Sequence, residues 1–163
     1  MLPDIMDDNY FMKEAIREAM KAAEIGEVPI GAVIVRNGDI IARGHNERET
    51  QKDATRHAEI VAIERACAAL HGWRLIGCDL YVTLEPCPMC AGAIVNSRIV
   101  RVIYGASDLR AGAFGSVLNL NEYPLNHKPE IIKGVLADEC LAPIQDFFKK
   151  KRKPKSTEEN DAT

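Results

Sequence analysis

The stretch that most restricts the fold lies between Asp79 and Gly105, where "DLYVTL", "PMCAGAIVNS" and "IVRVIYG" follow one another with almost no chain between them. The first and third are β-branched and aromatic runs and read as strands, while the second reads as a helix. A strand, a helix and a second strand in close succession argue for a parallel crossover within one sheet. Upstream, "PIGAVIVRNGDIIARG" contains two β-branched runs joined by Asn37-Gly38, a pair that tolerates positive φ at both turn positions and so predicts an antiparallel hairpin. One sheet holding both kinds of pairing is an α/β fold with a mixed sheet. At 163 residues the chain has enough material for a single core that needs no metal merely to fold.

Helices are expected on either side of these strands. Between Tyr10 and Ala23 the apolar positions Phe11, Ala15, Ala19 and Ala22/Ala23 recur at helical spacing, with Asp8 as the expected N-cap and Gly26 as the stop. Ala58, Val61, Ala62, Ala66, Ala69 and Leu70 fit one face of a helix running from about His57 to Leu70. Between the hairpin and that helix, "HNERETQKDATR" is polar and rich in breakers, and predicts an irregular loop of the kind that carries binding residues. After "IVRVIYG" the chain is expected to be mostly loop up to "IIKGVL", a short last strand. A closing helix should then run from Asp138 to about Lys153, with Pro143 causing a kink or a short preceding turn. The expected organisation is one domain over 1–153 and a disordered polar tail over 154–163.

Five cysteines is an odd number, and no apolar run reaches membrane-spanning length. These features point to a soluble, reduced, cytoplasmic protein in which Cys67, Cys78 and Cys140 are buried unpaired thiols. Charge is unevenly spread. Of 21 basic residues, six fall in "KKKRKPK" (Lys149, Lys150, Lys151, Arg152, Lys153 and Lys155), and a mildly acidic body carries this single basic patch. Such a run reads as a solvated tail, a nuclear localisation signal or a nucleic-acid contact.

Chemistry concentrates in "TLEPCPMC". Cys87 and Cys90 have the spacing of two ligands to one metal ion, of half a structural zinc knuckle, or of a redox pair. His57, in "RHAEI", is the nearest promising third ligand, and no fourth is evident. Three protein ligands leave one zinc position for water, as a catalytic site requires. Glu59, two residues on, suits a base beside that water rather than a ligand. A redox pair would leave both His57 and Glu59 unexplained.

His57-Ala58-Glu59 followed by Pro86-Cys87-Pro88-Met89-Cys90 resembles the signature of the zinc-dependent cytidine and deoxycytidylate deaminase superfamily. Over roughly Asp7 to Lys153 the chain is most similar to its bacterial tRNA adenosine deaminase branch. The resemblance implies a three-layer α/β/α fold with a central five-stranded mixed sheet, a homodimer, and one Zn²⁺ per subunit on His57, Cys87 and Cys90. It implies that Glu59 shuttles protons as wobble adenosine, flipped out of a tRNA anticodon stem-loop, becomes inosine with release of ammonia. It further implies substrate contacts from Asn46 in "GHNER", from Asp108 in "SDLRAGAFGS", and from Phe148, Lys149, Lys151 and Arg152 in "DFFKKKRK", where aromatic and basic residues suit single-stranded RNA. Phe114 and Pro143 depart from the commonest pattern of that branch. "CPMC" itself is shared with guanine deaminases, so a small-molecule base or nucleoside deaminase stands as the alternative, and a non-catalytic zinc RNA-binding protein as a second.

Overall fold

A computed structural model describes residues 7–152; the expected tail and Lys153 lie outside the described residues. The chain runs through α1 (Asp8–Glu24), β1 (Gly31–Arg36), β2 (Asp39–His45), the short α2 (Arg48–Gln51), α3 (Ala58–Leu70), β3 (Cys78–Leu84), α4 (Pro88–Ser97), β4 (Arg101–Ala106), β5 (Glu130–Lys133) and α5 (Ala137–Arg152). The five strands form one sheet in the order β2-β1-β3-β4-β5. β1 pairs antiparallel with β2 and β3, whereas β3–β4 and β4–β5 are parallel. The mixed sheet expected from the hairpin and the crossover is the one that forms.

Helices cover both faces. Alternation along each strand sends Ala32, Ile34, Leu80, Val82 and Val102 to one side, where Ala58, Ala62 and Ala66 of α3 and Ala91 and Ile94 of α4 pack on them. Val33, Val35, Tyr81 and Ile103 face the other way, against Phe11, Met12 and Ala15 of α1 and Cys140 of α5. β1 is buried along Gly31–Val35, as a central strand covered on both faces must be. Two glycines set how closely the layers approach. A Cβ on Gly31 would overlap the α1 backbone at Ala15 and Ala19, and one on Gly44 would lie 2.6 Å from the Ala58 carbonyl oxygen and 2.8 Å from the Ala62 nitrogen.

The local signals hold with instructive exceptions. Asn37 and Gly38 have φ of 52° and 80°, as a two-residue hairpin turn demands. The first helix is capped by Asp7, not Asp8: Asp7 is extended and its carboxylate accepts from the Tyr10 amide at 2.9 Å. Asp8 already lies in the helix, and its carboxylate accepts instead from the Tyr81 hydroxyl at 2.6 Å. The polar segment after β2 is not wholly irregular, because α2 forms within it. On α3, Ala69 is exposed and only Ala58, Glu59, Val61, Ala62 and Ala66 are buried, so the apolar face is narrower than the sequence suggests. Cys67 is half-buried, while Cys78 and Cys140 are buried; all are free thiols. Asp138 lies in the first turn of α5 and does not cap it. That helix is continuous through Pro143, with no break between Ala137 and Arg152.

Candidate active site

The topology gathers five chain segments at one edge of the sheet. Because β1 runs opposite to β2 and β3, the start of β1 and the ends of β2, β3 and β4 share this edge, the usual location of ligand crevices in α/β sheets. β2 leads there into Asn46 and Arg48, β3 into Glu85 and Cys87, and β4 into the 107–111 turn. Together with α5 they enclose a cavity of ≈ 800 Å³.

His57 and Cys87 each stand immediately before the first turn of a helix, α3 and α4, in extended conformation. Neither side chain caps its own helix, so both are free to face the cavity. His57 Nδ1 lies 3.6 Å from Cys87 Sγ and 3.5 Å from Cys90 Sγ. Bonds of about 2.0 Å to nitrogen and 2.3 Å to sulfur at tetrahedral angles would separate nitrogen from sulfur by roughly 3.5 Å. One histidine nitrogen and two sulfurs at that spacing fit a metal ion such as zinc. All three candidate ligand atoms lie within 4.8 Å of one another, and among the described residues no other such group of histidine, cysteine or acidic side chains occurs.

Proton distribution fits the same use. A hydrogen bond from Cys90, working against burial and helped by His57, pulls the Cys87 thiol down to about 4. Cys90 is pushed far up because it keeps the shared proton, being both buried and close to Glu59. The hydrogen bond with Cys87 raises His57 against its partial burial. One sulfur is thus held as thiolate, at a helix N-terminus that favours it. Glu59 is buried in the first turn of α3 and lines the cavity; loss of water around its carboxyl pushes it up to about 7. A carboxyl poised there can both take and return a proton near neutral pH.

The flanking walls are built by side chains that hold loops. Asn46 is buried; its Oδ1 accepts from the Arg48 amide at 3.2 Å and its Nδ2 donates to the Val28 carbonyl at 3.3 Å. Asp108 repeats the device on the opposite wall, its Oδ1 accepting from the Arg110 and Ala111 amides at 3.0 and 3.2 Å. Each of these turns brings an arginine, Arg48 or Arg110, to the cavity. Neither arginine was singled out from sequence, although the pattern Asn/Asp-x-Arg after a strand is a signal that could have found them. Glu27 steadies the first wall: its buried carboxylate accepts from the Glu49 and Thr50 amides at 3.1 and 2.7 Å. Burial opposes its ionisation, but those bonds and Arg48 outweigh it and hold Glu27 below its ordinary 4.5.

α5 divides the predicted RNA-facing residues. Leu141, Ile144, Phe148 and Arg152 line the cavity, at the spacings that share one helix face. Lys151 lies on another face, its ammonium 5.5 Å from the centre of the Phe147 ring, beside Met20 and Ala23 in a separate cleft of ≈ 420 Å³. Lys149 is exposed and lines neither space. Phe148 and Arg152, four residues apart, share the face that lines the cavity, whereas Lys149 and Lys151 between them point elsewhere. Phe114 is buried in the core beneath the 107–116 loop and is not a surface contact.

A family description for MafB19-like deaminases matches residues 6–152. The tRNA-specific adenosine deaminase of Bacillus subtilis (strain 168) is 55% identical over 149 residues, covering 91% of this chain and 92% of that protein. The tRNA-specific adenosine deaminase of Haemophilus influenzae is 45% identical over 153 residues, covering 93% and 88%. A solved structure from work on A-to-I editing by tRNA:A34 deaminases at the wobble position of transfer RNA superposes with a TM-score of 0.80 and 47% identity, over 82% of this chain and 98% of that one. Guanine deaminase from Bacillus subtilis superposes with a TM-score of 0.60 and 32% identity, over 88% and 95%.

Proposed function

The chain belongs to the MafB19-like deaminase family, and from that premise we propose that it hydrolyses adenosine to inosine at the wobble position of tRNA anticodons, with release of ammonia. The observation that carries this reading is the convergence of His57, Cys87 and Cys90 beside the buried carboxyl of Glu59, in a cavity lined also by Arg48, Arg110 and Arg152. Similarity to tRNA-specific adenosine deaminases over nine-tenths of the chain supports the substrate. The reaction consumes one water: the C6–N bond of adenine breaks, a C6–O bond forms, and ammonia departs.

Zinc held by His57, Cys87 and Cys90 would supply the acidified water that serves as nucleophile. Glu59 takes one proton from the attacking water and delivers it to N1 of the ring, then takes the second from the hydroxyl now on C6 and gives it to the departing amine as the C6–N bond breaks. Asn46 holds the base with the Nδ2 hydrogen left over from its bond to Val28, while Asp108 shapes the facing turn. Phe148 offers a stacking surface at the cavity mouth, and Arg152, with Arg48 and Arg110, meets the phosphates on either side of the flipped nucleotide. Lys149 and Lys151, on other faces of the same turn of α5, add charge beside it. The catalytic unit is a single domain that assembles as a homodimer in the cytoplasm; among the described residues no helix is long and apolar enough to cross a membrane.

Incubating zinc-loaded protein with an anticodon hairpin bearing adenosine at the wobble position, beside free adenosine, cytidine, cytosine and guanine, tests the reading. Inosine at that one position, without turnover of the free compounds, is expected. Ammonia from free guanine or cytosine with the hairpin untouched would replace the substrate while keeping the zinc chemistry. RNA binding without ammonia release from any of them would leave only a zinc RNA-binding protein.

A further inference from the structure

We infer that Glu85 is a positioning residue that sets the distance between the metal-ligand cluster and the 107–111 wall of the cavity, and thereby aligns the substrate base with Glu59. Glu85 is 2% exposed and sits between the end of β3 and Cys87. Burying a carboxylate costs several kcal/mol unless hydrogen bonds replace its water. Here that replacement is complete. One oxygen accepts from the Asp108 amide at 3.1 Å and from the Ser116 hydroxyl; the other accepts from the Phe114 and Ser116 amides, both at 3.1 Å.

All four donors come from residues 108–116, and none from the strands or helices of the core. An apolar side chain could fill this space, but only an acceptor with two oxygens can gather those donors into one turn. Gly112 completes the fit, since a Cβ there would overlap the Glu85 carboxyl group. Backbone bonds close the assembly on both sides: the Glu85 amide donates to Ala106 at 2.9 Å and the Ala113 amide to Pro86 at 2.9 Å. Glu85 is joined to Cys87 through Pro86 alone, whose ring fixes φ. The loop that faces the base is therefore referenced to a metal ligand through two peptide bonds.

The inference rests on the proposed deamination, and the experiment has one arm that does not. Glu85→Gln keeps the shape but offers one oxygen. The arrangement that loses fewest bonds turns that oxygen to the Phe114 and Ser116 amides and leaves the Asp108 amide without an acceptor. In zinc-loaded Glu85→Gln, amide hydrogen exchange at Asp108 should speed up at least tenfold relative to Phe114. On the wobble-adenosine hairpin, kcat per bound zinc should fall at least tenfold with zinc content retained. Unchanged exchange at Asp108 overturns the anchoring. Faster exchange with wild-type kcat per bound zinc overturns the positioning role and leaves a merely structural one. If wild-type protein does not turn over the hairpin, the substrate reading has failed, while the exchange arm still decides the anchoring. Should Glu85→Gln not fold, Ser116→Ala removes the hydroxyl donor alone; it should speed Asp108 exchange and lower kcat per zinc about threefold, and wild-type values for both sink the inference.

Discussion

His57 and Cys87 occupy the same place on two different helices, each the last extended residue before the first turn, and their ligand atoms lie 3.6 Å apart across 30 residues of sequence. The two helix starts meet because both follow segments leaving one edge of the sheet. A proton now held among Cys90, Cys87 and His57 must leave when a metal binds. Zinc titration of metal-free protein near pH 7, followed calorimetrically in buffers of different ionisation enthalpy, should show release of at least one proton. Affinity should weaken as pH falls. Binding with no proton released would contradict the arrangement of the two thiols.

Glu59 is the only carboxyl in the first turn of α3 and is not one of the three clustered ligands. Glu59→Gln should therefore retain a wild-type metal content by elemental analysis and lose about 10²–10⁴-fold in kcat, the usual contribution of general acid–base catalysis. Activity within tenfold of wild type would remove Glu59 from the mechanism.

Glu27 predicts a dependence of stability on pH. Its folded pKa is held below the ordinary 4.5, so the folded state binds its proton more weakly than the unfolded chain. The stabilisation is present above 4.5 and is lost as pH falls through the depressed folded value. The difference in thermal midpoint between wild type and Glu27→Gln should be constant from pH 7 to 5 and shrink below 4.5. A difference that grows on acidification would reverse the assignment.

Gly44 and Gly92 make opposite predictions for the same substitution. A Cβ at Gly44 meets the α3 backbone, so Gly44→Ala should cost about 1–3 kcal/mol by overpacking and disturb the helix that carries His57 and Glu59. Gly92 lies within α4 with nothing near its Cβ direction, so Gly92→Ala should stabilise by about 0.5–1 kcal/mol through helix propensity. Denaturant midpoints measure both. Destabilisation at Gly92 would contradict the open space around it.

Phe148 and Arg152 face the cavity and Lys151 faces α1. Arg152→Ala should weaken hairpin binding and lower the slope of log affinity against log salt by about 0.7, the value for one single-strand phosphate contact. Phe148→Ala should weaken binding about tenfold or more through lost stacking. Lys151→Ala should change affinity less than threefold. Equal losses at Arg152 and Lys151 would mean that the helix attracts RNA only through its total charge.

Much of this architecture is local and was therefore legible. Asn37-Gly38 specifies its turn through backbone φ, α4 spans the ten residues of "PMCAGAIVNS", and Cys-x-x-Cys places two candidate ligands on one helix turn. The capping residue was misassigned because Asp7 and Asp8 are chemically equivalent, and only the direction of the incoming chain decides which one is extended. Pro143 sits within a continuous helix because burial of Cys140 and Ile144 against the sheet keeps α5 together.

What the sequence determined by itself was the five strands and the long helices, and the candidates His57, Glu59, Cys87 and Cys90, because the element patterns, His-x-Glu and Cys-x-x-Cys are each written in spacings of a few residues. Only the tertiary structure decided that Arg48 and Arg110 enter the cavity and that Phe148 and Arg152, but not Lys149 and Lys151, face it. It alone showed that Glu85 gathers donors up to 31 residues away. The physical reason is common to all three: a side chain's direction and hydrogen-bond partners depend on which distant segments the sheet order brings beside it, and no local pattern carries that information.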